Sequence, residues 1–255
     1  AIMEQVASTA GPEEIVREGE FTEAIFPPGR VAPAVYVYEA PVRLWHWVTA
    51  ACMLVLAVTG YFIGSPPPTL SGEASDHYVF GWIRLLHFGA GQLLAVAFVL
   101  RIYWAFVGNS HARQLFTPPF FNPRWYKAIL DELRWYLLLE KRPVEYVGHN
   151  PLAHISMFLM FVLPTLFMIF TGFALYAEGA GIDSAWYWAF GWVLGLIGNS
   201  MAVHTLHHVG MWVLVVFSVI HLYIAIREDI VRRQSTLSTM ISGWRLFKNR
   251  GHWGT

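Results

Sequence analysis

Four runs of about twenty or more predominantly apolar residues, the length needed to cross a hydrocarbon core of about 30 Å, constrain this chain more than any other feature. They extend from Trp45 to Gly64, from Leu85 to Gly108 with Arg101 as the one interruption, from Pro151 to Ala177, and from Met201 to Ile226. Composition agrees: of 255 residues 56% are apolar and 13% charged, with a mean hydropathy of +0.45. Soluble domains carry about twice that charge. Backbone polar groups in lipid must be satisfied internally, so an all-α integral membrane protein, a four-transmembrane-helix bundle with lipid as its solvent, is the expected fold. A fifth apolar stretch, Trp186 to Ile197, is too short to cross and reads as an interfacial helix or turn.

Lys and Arg in short loops set the orientation of such a bundle. The segments before the first span, between the second and third, and after the fourth carry Arg30 and Arg43, then Arg113, Arg124, Lys127, Arg134, Lys141 and Arg142, then Arg227, Arg232, Arg233, Arg245, Lys248 and Arg250. The loops Ser65–Gly81 and Glu178–Ser200 carry none. Both termini are therefore expected in the cytoplasm. Residues 1–35 read as a cytoplasmic tail without the pattern of a cleavable signal peptide, 36–230 as the membrane domain, and 231–255 as a second cytoplasmic tail. Residues 120–142 mix aromatic and basic side chains and predict an amphipathic helix on the inner leaflet. No internal repeat stands out. Seventeen basic residues balance seventeen acidic ones, so nucleic acid is not an expected partner. The single cysteine, Cys52, excludes an internal disulfide and covalent haem attachment, and reads as a small buried hydrophobe.

Eleven histidines are the unusual holding, because ionisable groups inside a bilayer are costly and mark function. His46 opens the first span on the cytoplasmic side and His87 opens the second on the outer side. On the fourth span His204, His207 and His208 lie near the outer entrance and His221 lies deeper. The fourteen residues from His207 to His221 give about 21 Å of rise and fall about 40° short of four whole turns, so the two share a face, whereas His204 and His208 are rotated roughly 100° and 140° from His221. Depth then pairs His87 with His207 and His46 with His221. Paired imidazoles from facing helices in an apolar bundle are the axial ligands of b-type haem, and two such haems about 20 Å apart would span most of the membrane.

Other residues fit this pattern and also have ordinary readings. Gly60, fourteen residues after His46, would let a macrocycle approach the backbone, or serve helix packing. Arg101, fourteen after His87, and Arg84, one turn before it, could pair with haem propionates or snorkel to the interface. His204 and His208 read as groups around the outer haem or in contact with its partner. His154 has no partner at its depth and reads as an interhelical residue; His77, His111, His149 and His252 carry no specific signal. At the cytoplasmic level Arg43, Trp45, Tyr223 and Glu228 could serve a quinone site, although anchoring residues of these types occur there in any case.

Several long stretches carry a resemblance: Tyr38-Glu39-Ala40-Pro41-Val42-Arg43-Leu44-Trp45-His46-Trp47, Thr59-Gly60-Tyr61-Phe62-Ile63-Gly64, Ile83-Arg84-Leu85-Leu86-His87-Phe88, Arg101 to Asn109, Gly148-His149-Asn150-Pro151, Gly198-Asn199-Ser200-Met201 and Ala225-Ile226-Arg227-Glu228-Asp229. From about Tyr36 to Trp244 the chain resembles the cytochrome b subunit of membrane-bound [NiFe] hydrogenases. The resemblance implies a four-helix subunit with two b-type haems that anchors a periplasmic hydrogenase, small and large subunits together, in the bacterial inner membrane. It implies electron transfer to quinone, with haem ligands at His46, His87, His207 and His221 and no chemistry at hydrogen by this chain itself. Three other readings remain: the cytochrome b subunit of a formate dehydrogenase or thiosulfate reductase, a haem-free membrane anchor, and a histidine-based transporter, for which the spans lack acidic residues.

Overall fold

The computed structural model describes residues 35–68, 72–73, 77–140, 146, 149–231 and 235–245. The expected N-terminal tail, His252, Lys141 and Arg142, and the end of the C-terminal tail lie outside the described residues. The element order is β1 (Val35–Tyr36), α1 (Ala40–Gly64), α2 (Val79–Val107), α3 (Ser110–Arg113), α4 (Pro123–Tyr136), α5 (Pro151–Ala180), α6 (Ala185–Phe190), α7 (Trp192–Ile197), α8 (Ser200–Val231), α9 (Thr236–Ser242) and β2 (Trp244–Arg245).

Helices α1, α2, α5 and α8 are long and apolar enough to cross a membrane, and only 17–28% of the residues in their most apolar stretches are buried by the protein. Faces so apolar and so uncovered need a non-aqueous surround. The helices outrun the apolar runs that predicted them. Helix α1 starts at Ala40, with Pro41 in a first turn where a missing N–H costs nothing, and α2 starts at Val79. Helix α8 continues past Ile226 through Arg227, Glu228 and Asp229, polar residues whose propensity is compatible with a helix once the apolar part has nucleated it. In α5 a π-helical turn covers Phe158–Val162, just ahead of Pro164. Proline cannot donate to the carbonyl four residues earlier and clashes with it, and one wider turn relieves that clash while keeping the helix continuous.

The chain forms two compact units. One contains residues 41–107 and 158–221 and holds the greater part of all four long helices. Its core is built where those helices meet: Trp45 of α1 lies 5.9 Å from Phe161 of α5, Phe161 lies 5.6 Å from Phe217 of α8, and Phe88 of α2 lies 5.2 Å from Tyr176 of α5, as ring centroids. The stretch expected to lie at the interface is two short helices, α6 and α7, broken at Gly191 and held to α5 by Phe190 on Phe173 at 4.9 Å.

The second unit contains residues up to 40, 108–157 and those from 222 onward. Its two-residue strands pair antiparallel, Val35 with Arg245 and Tyr36 with Trp244. Helix α4 is shorter than the 120–142 segment expected: Asn122 caps its start and Pro123 takes the first position. Its tryptophans turn inward, Trp125 against His154 at 5.9 Å, while Tyr126, Leu130 and Leu133 face outward. The tryptophans thus serve protein packing, and the apolar side chains on the other face stay exposed. At the other end of α4, the Arg227 guanidinium lies 4.3 Å from the Trp135 ring centre and 4.7 Å from that of Tyr136, and the Tyr136 hydroxyl donates to Glu228 at 2.9 Å.

Asn109 ties this unit together. Its Oδ1 accepts from the Ala112 N–H at 3.0 Å, its Nδ2 donates to the Val37 carbonyl at 3.0 Å, and its own N–H donates to Glu39 Oε2 at 3.0 Å. Asn109→Ala removes a cap and a cross-link together, so a loss of about 1–2 kcal/mol is expected. A lowered midpoint of thermal unfolding in detergent, with Asn109→Asp recovering the cap alone and therefore part of the loss, is the check.

Candidate functional site

The four histidines selected by spacing all fall in the unit that holds the long helices. His46 of α1 and His221 of α8 meet with ring centroids 6.4 Å apart and planes at 52°. An aromatic wall surrounds them. Phe217, one turn before His221, stacks on it at 5.5 Å and 21°, and Phe217 in turn contacts Phe161, which contacts Trp45 beside His46. Arg101 lies at this level too: it is 3% exposed, and its guanidinium sits 5.3 Å from the Trp45 ring centre. A buried cation beside the histidine pair is more than an interfacial snorkel, whose head would reach water.

His87 of α2 and His207 of α8 are held by a different device, used twice. Thr59 Oγ1 donates to the Val55 carbonyl at 2.6 Å and lies 2.9 Å from His87 Nδ1. Thr171 Oγ1 donates to the Phe167 carbonyl at 2.7 Å and lies 2.8 Å from His207 Nδ1. Each threonine is followed by a glycine against which the same ring rests: a Cβ on Gly60 would stand 3.2 Å from His87 Cε1, and one on Gly172 would stand 3.2 Å from His207 Cε1. At Gly60 it is the imidazole of His87 that approaches the backbone. That same Cβ would lie 3.4 Å from Met211 Sδ, one turn beyond His207, so α1 brings His87 and the His207 face of α8 together.

Thr59, Thr171 and Gly172 were not selected from the sequence. The signal was present as a Thr-Gly pair followed by an aromatic residue in both the first and the third span, Thr59-Gly60-Tyr61 and Thr171-Gly172-Phe173.

The remaining candidates have separate settings. His208 Nε2 accepts from Trp212 Nε1 at 3.2 Å, and its ring rests on Gly64, whose Cβ would stand 3.0 Å away. His204 is exposed, with Nδ1 donating to the Ser200 carbonyl at 3.0 Å. Arg84 is exposed, 5.5 Å from the Phe88 ring centre, and lines a cavity of about 500 Å³ with His77 and Tyr78. Arg43 and Trp45 belong to the unit with the histidines, whereas Tyr223 and Glu228 belong to the other; Tyr223 is exposed and Glu228 is buried against Tyr136.

The donor set fits b-type haem. Two metal–nitrogen bonds of about 2 Å laid end to end, plus the step from each ligating nitrogen to its ring centre, add to roughly 6 Å, and the His46 and His221 rings stand 6.4 Å apart. Among the described residues no three His, Cys, Asp or Glu side chains converge on one point. A bare zinc ion takes three or four protein ligands, whereas a planar macrocycle fills the equator of its iron and asks the protein for two.

Comparison with known proteins agrees with this arrangement. The family model described as prokaryotic cytochrome b561 matches residues 37–243. The chain is 60% identical over 223 residues to an Azotobacter vinelandii protein, covering 86% of this chain and 92% of that one, and 54% identical over 248 residues to a Rhodobacter capsulatus protein, covering 95% of each. Both carry the name "Probable Ni/Fe-hydrogenase B-type cytochrome subunit". An Escherichia coli K12 protein named as a hydrogenase 1 B-type cytochrome subunit is 48% identical over 217 residues, covering 84% of this chain and 91% of its own. With a match over so much of its length, the chain belongs to the prokaryotic cytochrome b561 family of hydrogenase b-type cytochrome subunits.

Proposed function

We propose that this chain is the membrane-anchoring di-haem cytochrome of a hydrogen-oxidising complex, taking electrons from a periplasmic [NiFe] hydrogenase and passing them to quinone at the cytoplasmic side of the bacterial inner membrane. The 6.4 Å approach of His46 to His221 carries this reading. The names of the relatives support the hydrogenase as partner, its small subunit docking at the outer face, and the basic segments support termini in the cytoplasm.

His46 and His221 would hold an inner haem, and His87 and His207 an outer one. A haem b held by two imidazoles would supply one-electron redox chemistry and leave no open site for oxygen or hydrogen. The chain supplies everything else. Helix α8 contributes one ligand to each site and fixes their separation at about 21 Å of helix rise. Trp45, Phe161 and Phe217 wall the inner site against water, and the buried Arg101 guanidinium places a positive charge where propionates would need one. Arg84 has the corresponding place at the outer level. Gly60 and Gly172 leave room for the two outer imidazoles to press against neighbouring helices.

For quinone the candidates are Arg43, Trp45, Tyr223 and Glu228. Glu228 is the one carboxylate of the four and already accepts a hydrogen bond from Tyr136, which gives it a defined position from which to donate a proton. Glu228→Gln should slow hydrogen-dependent quinone reduction in membranes while the haems are still reduced by hydrogen; an unchanged rate removes Glu228 from the site.

Dithionite-reduced minus oxidised spectra of the detergent-purified chain, with pyridine haemochrome quantification, should give about two haems b per polypeptide, the number that four axial histidines supply. Replacing any one of His46, His87, His207 or His221 by Ala should leave about one. Pure, folded chain without haem would return the anchor reading.

Glycine variants test the packing independently. Gly172→Leu drives a side chain into His207 and should lose the outer haem. Gly64→Ala presses on His208 instead, and should leave haem content unchanged, since His208 is outside the proposed ligand set.

A further inference from the structure

We propose that Thr59 and Thr171 are positioning residues that hold His87 and His207 in the tautomer protonated at Nδ1, and that these two hydrogen bonds make the outer pair the site of lower reduction potential. This rests on the haem reading above and deepens it.

A hydroxyl has one proton. At Thr59 it goes to the Val55 carbonyl, the shorter of its contacts at 2.6 Å, so Oγ1 meets His87 Nδ1 at 2.9 Å with a lone pair, and the proton in that contact belongs to the imidazole. Thr171 repeats the arrangement, giving its proton to Phe167 at 2.7 Å and accepting from His207 Nδ1 at 2.8 Å. A neutral imidazole protonated at Nδ1 has its lone pair at Nε2. Both outer histidines are thus set, before any metal arrives, with the bare nitrogen directed away from the threonine and free to ligate. The glycine after each threonine is part of the same device. With the ring 3.2 Å from the position of a Cβ, a larger residue would press the imidazole a few tenths of an ångström away from the threonine's own helix.

The inner pair is built differently. His46 Nδ1 is buried and has no hydrogen-bond partner among the described residues, and the surroundings of the pair are aromatic. A ligand histidine that donates from Nδ1 to an acceptor shares that proton, which raises the electron density at Nε2. A more basic axial ligand favours the oxidised iron and lowers its potential, hydrogen bonding around the ligand being one of the levers a protein has on haem. Two threonine acceptors act on the outer site, and His46 has none. Electrons entering from outside would therefore meet the lower potential first and move inward to the higher one.

The test is potentiometric titration of the α band, with low-spin electron paramagnetic resonance and haem counts, on purified wild-type chain and on Thr59→Val, Thr171→Val, Thr59→Ser and Thr171→Ser. Valine keeps the branched shape and removes the acceptor; serine keeps the acceptor. Thr165→Val, at a fully buried threonine on α5, is the control for loss of a membrane-embedded hydroxyl as such. The proposal expects two wild-type midpoints, of which the more negative moves upward in both valine variants, returns in both serine variants, and stays in place in Thr165→Val. Loss of one haem from a valine variant with retention of both in its serine counterpart also supports it. It is overturned if both midpoints stay at wild-type values with two haems bound, if the more positive midpoint is the one that moves, or if a valine variant loses both haems. Wild-type protein that holds no haem fails earlier, at the count, and contradicts the di-haem reading rather than the role of the threonines.

Discussion

An imidazole placed in an apolar bundle has two ring nitrogens to satisfy and almost no water with which to do so. Four such rings on three helices set the terms for the rest of this structure. At His87 and His207 the need is met by threonine hydroxyls that have already given their proton to their own helix, and the glycine beside each threonine brings ring and hydroxyl within reach. At His46 and His221 two imidazoles approach one another within aromatic side chains, at a separation that suits a shared metal. Helix α8 couples the levels. An unbroken run from His207 to His221 keeps both rings on one face, so whatever fixes one end fixes the register of the other.

The π-helical turn in α5 belongs to the same logic. Phe161 lies within it, between Trp45 and Phe217, and Thr171 lies ten residues further along the same helix. Pro164 makes some irregularity unavoidable. The same helix presents Phe161 to Trp45 and Phe217 and a hydroxyl to His207. Away from the histidines, Arg227 against Trp135 and Tyr136, with Tyr136 donating to Glu228, fastens the end of α8 to α4. That contact explains why α8 remains helical beyond its apolar part.

Period and hydropathy made the four long helices and the approach of His46 to His221 legible in the sequence, because both depend on spacing along single helices. Contacts between helices were less legible. Thr59 and Thr171 are ordinary residues in apolar segments, and nothing in the spacing of one helix says which face of a neighbour meets it. Gly60 was selected for its depth, yet its neighbour is an imidazole. Arg101 could be read as interfacial from its place near the end of a run; only its burial beside Trp45 separates the two readings. Hydropathy marked α4 as amphipathic but did not say that Trp125 would turn toward His154 of α5. Helix ends were missed for a related reason: Pro41 and the Arg227-Glu228-Asp229 segment are helical through a first-turn position and through side-chain contacts, neither of which hydropathy registers.

The central claim is that the four histidines form two separate metal-ligating pairs, one near each end of α8. Crystals of the purified chain, with anomalous diffraction recorded at the iron edge, test it most directly. The account predicts two iron peaks roughly 20 Å apart, the rise of fourteen helical residues, one between His46 and His221 and the other between His87 and His207. A single peak in fully haem-loaded protein, or an iron ligated by His204, His208 or any histidine outside these four, would contradict it.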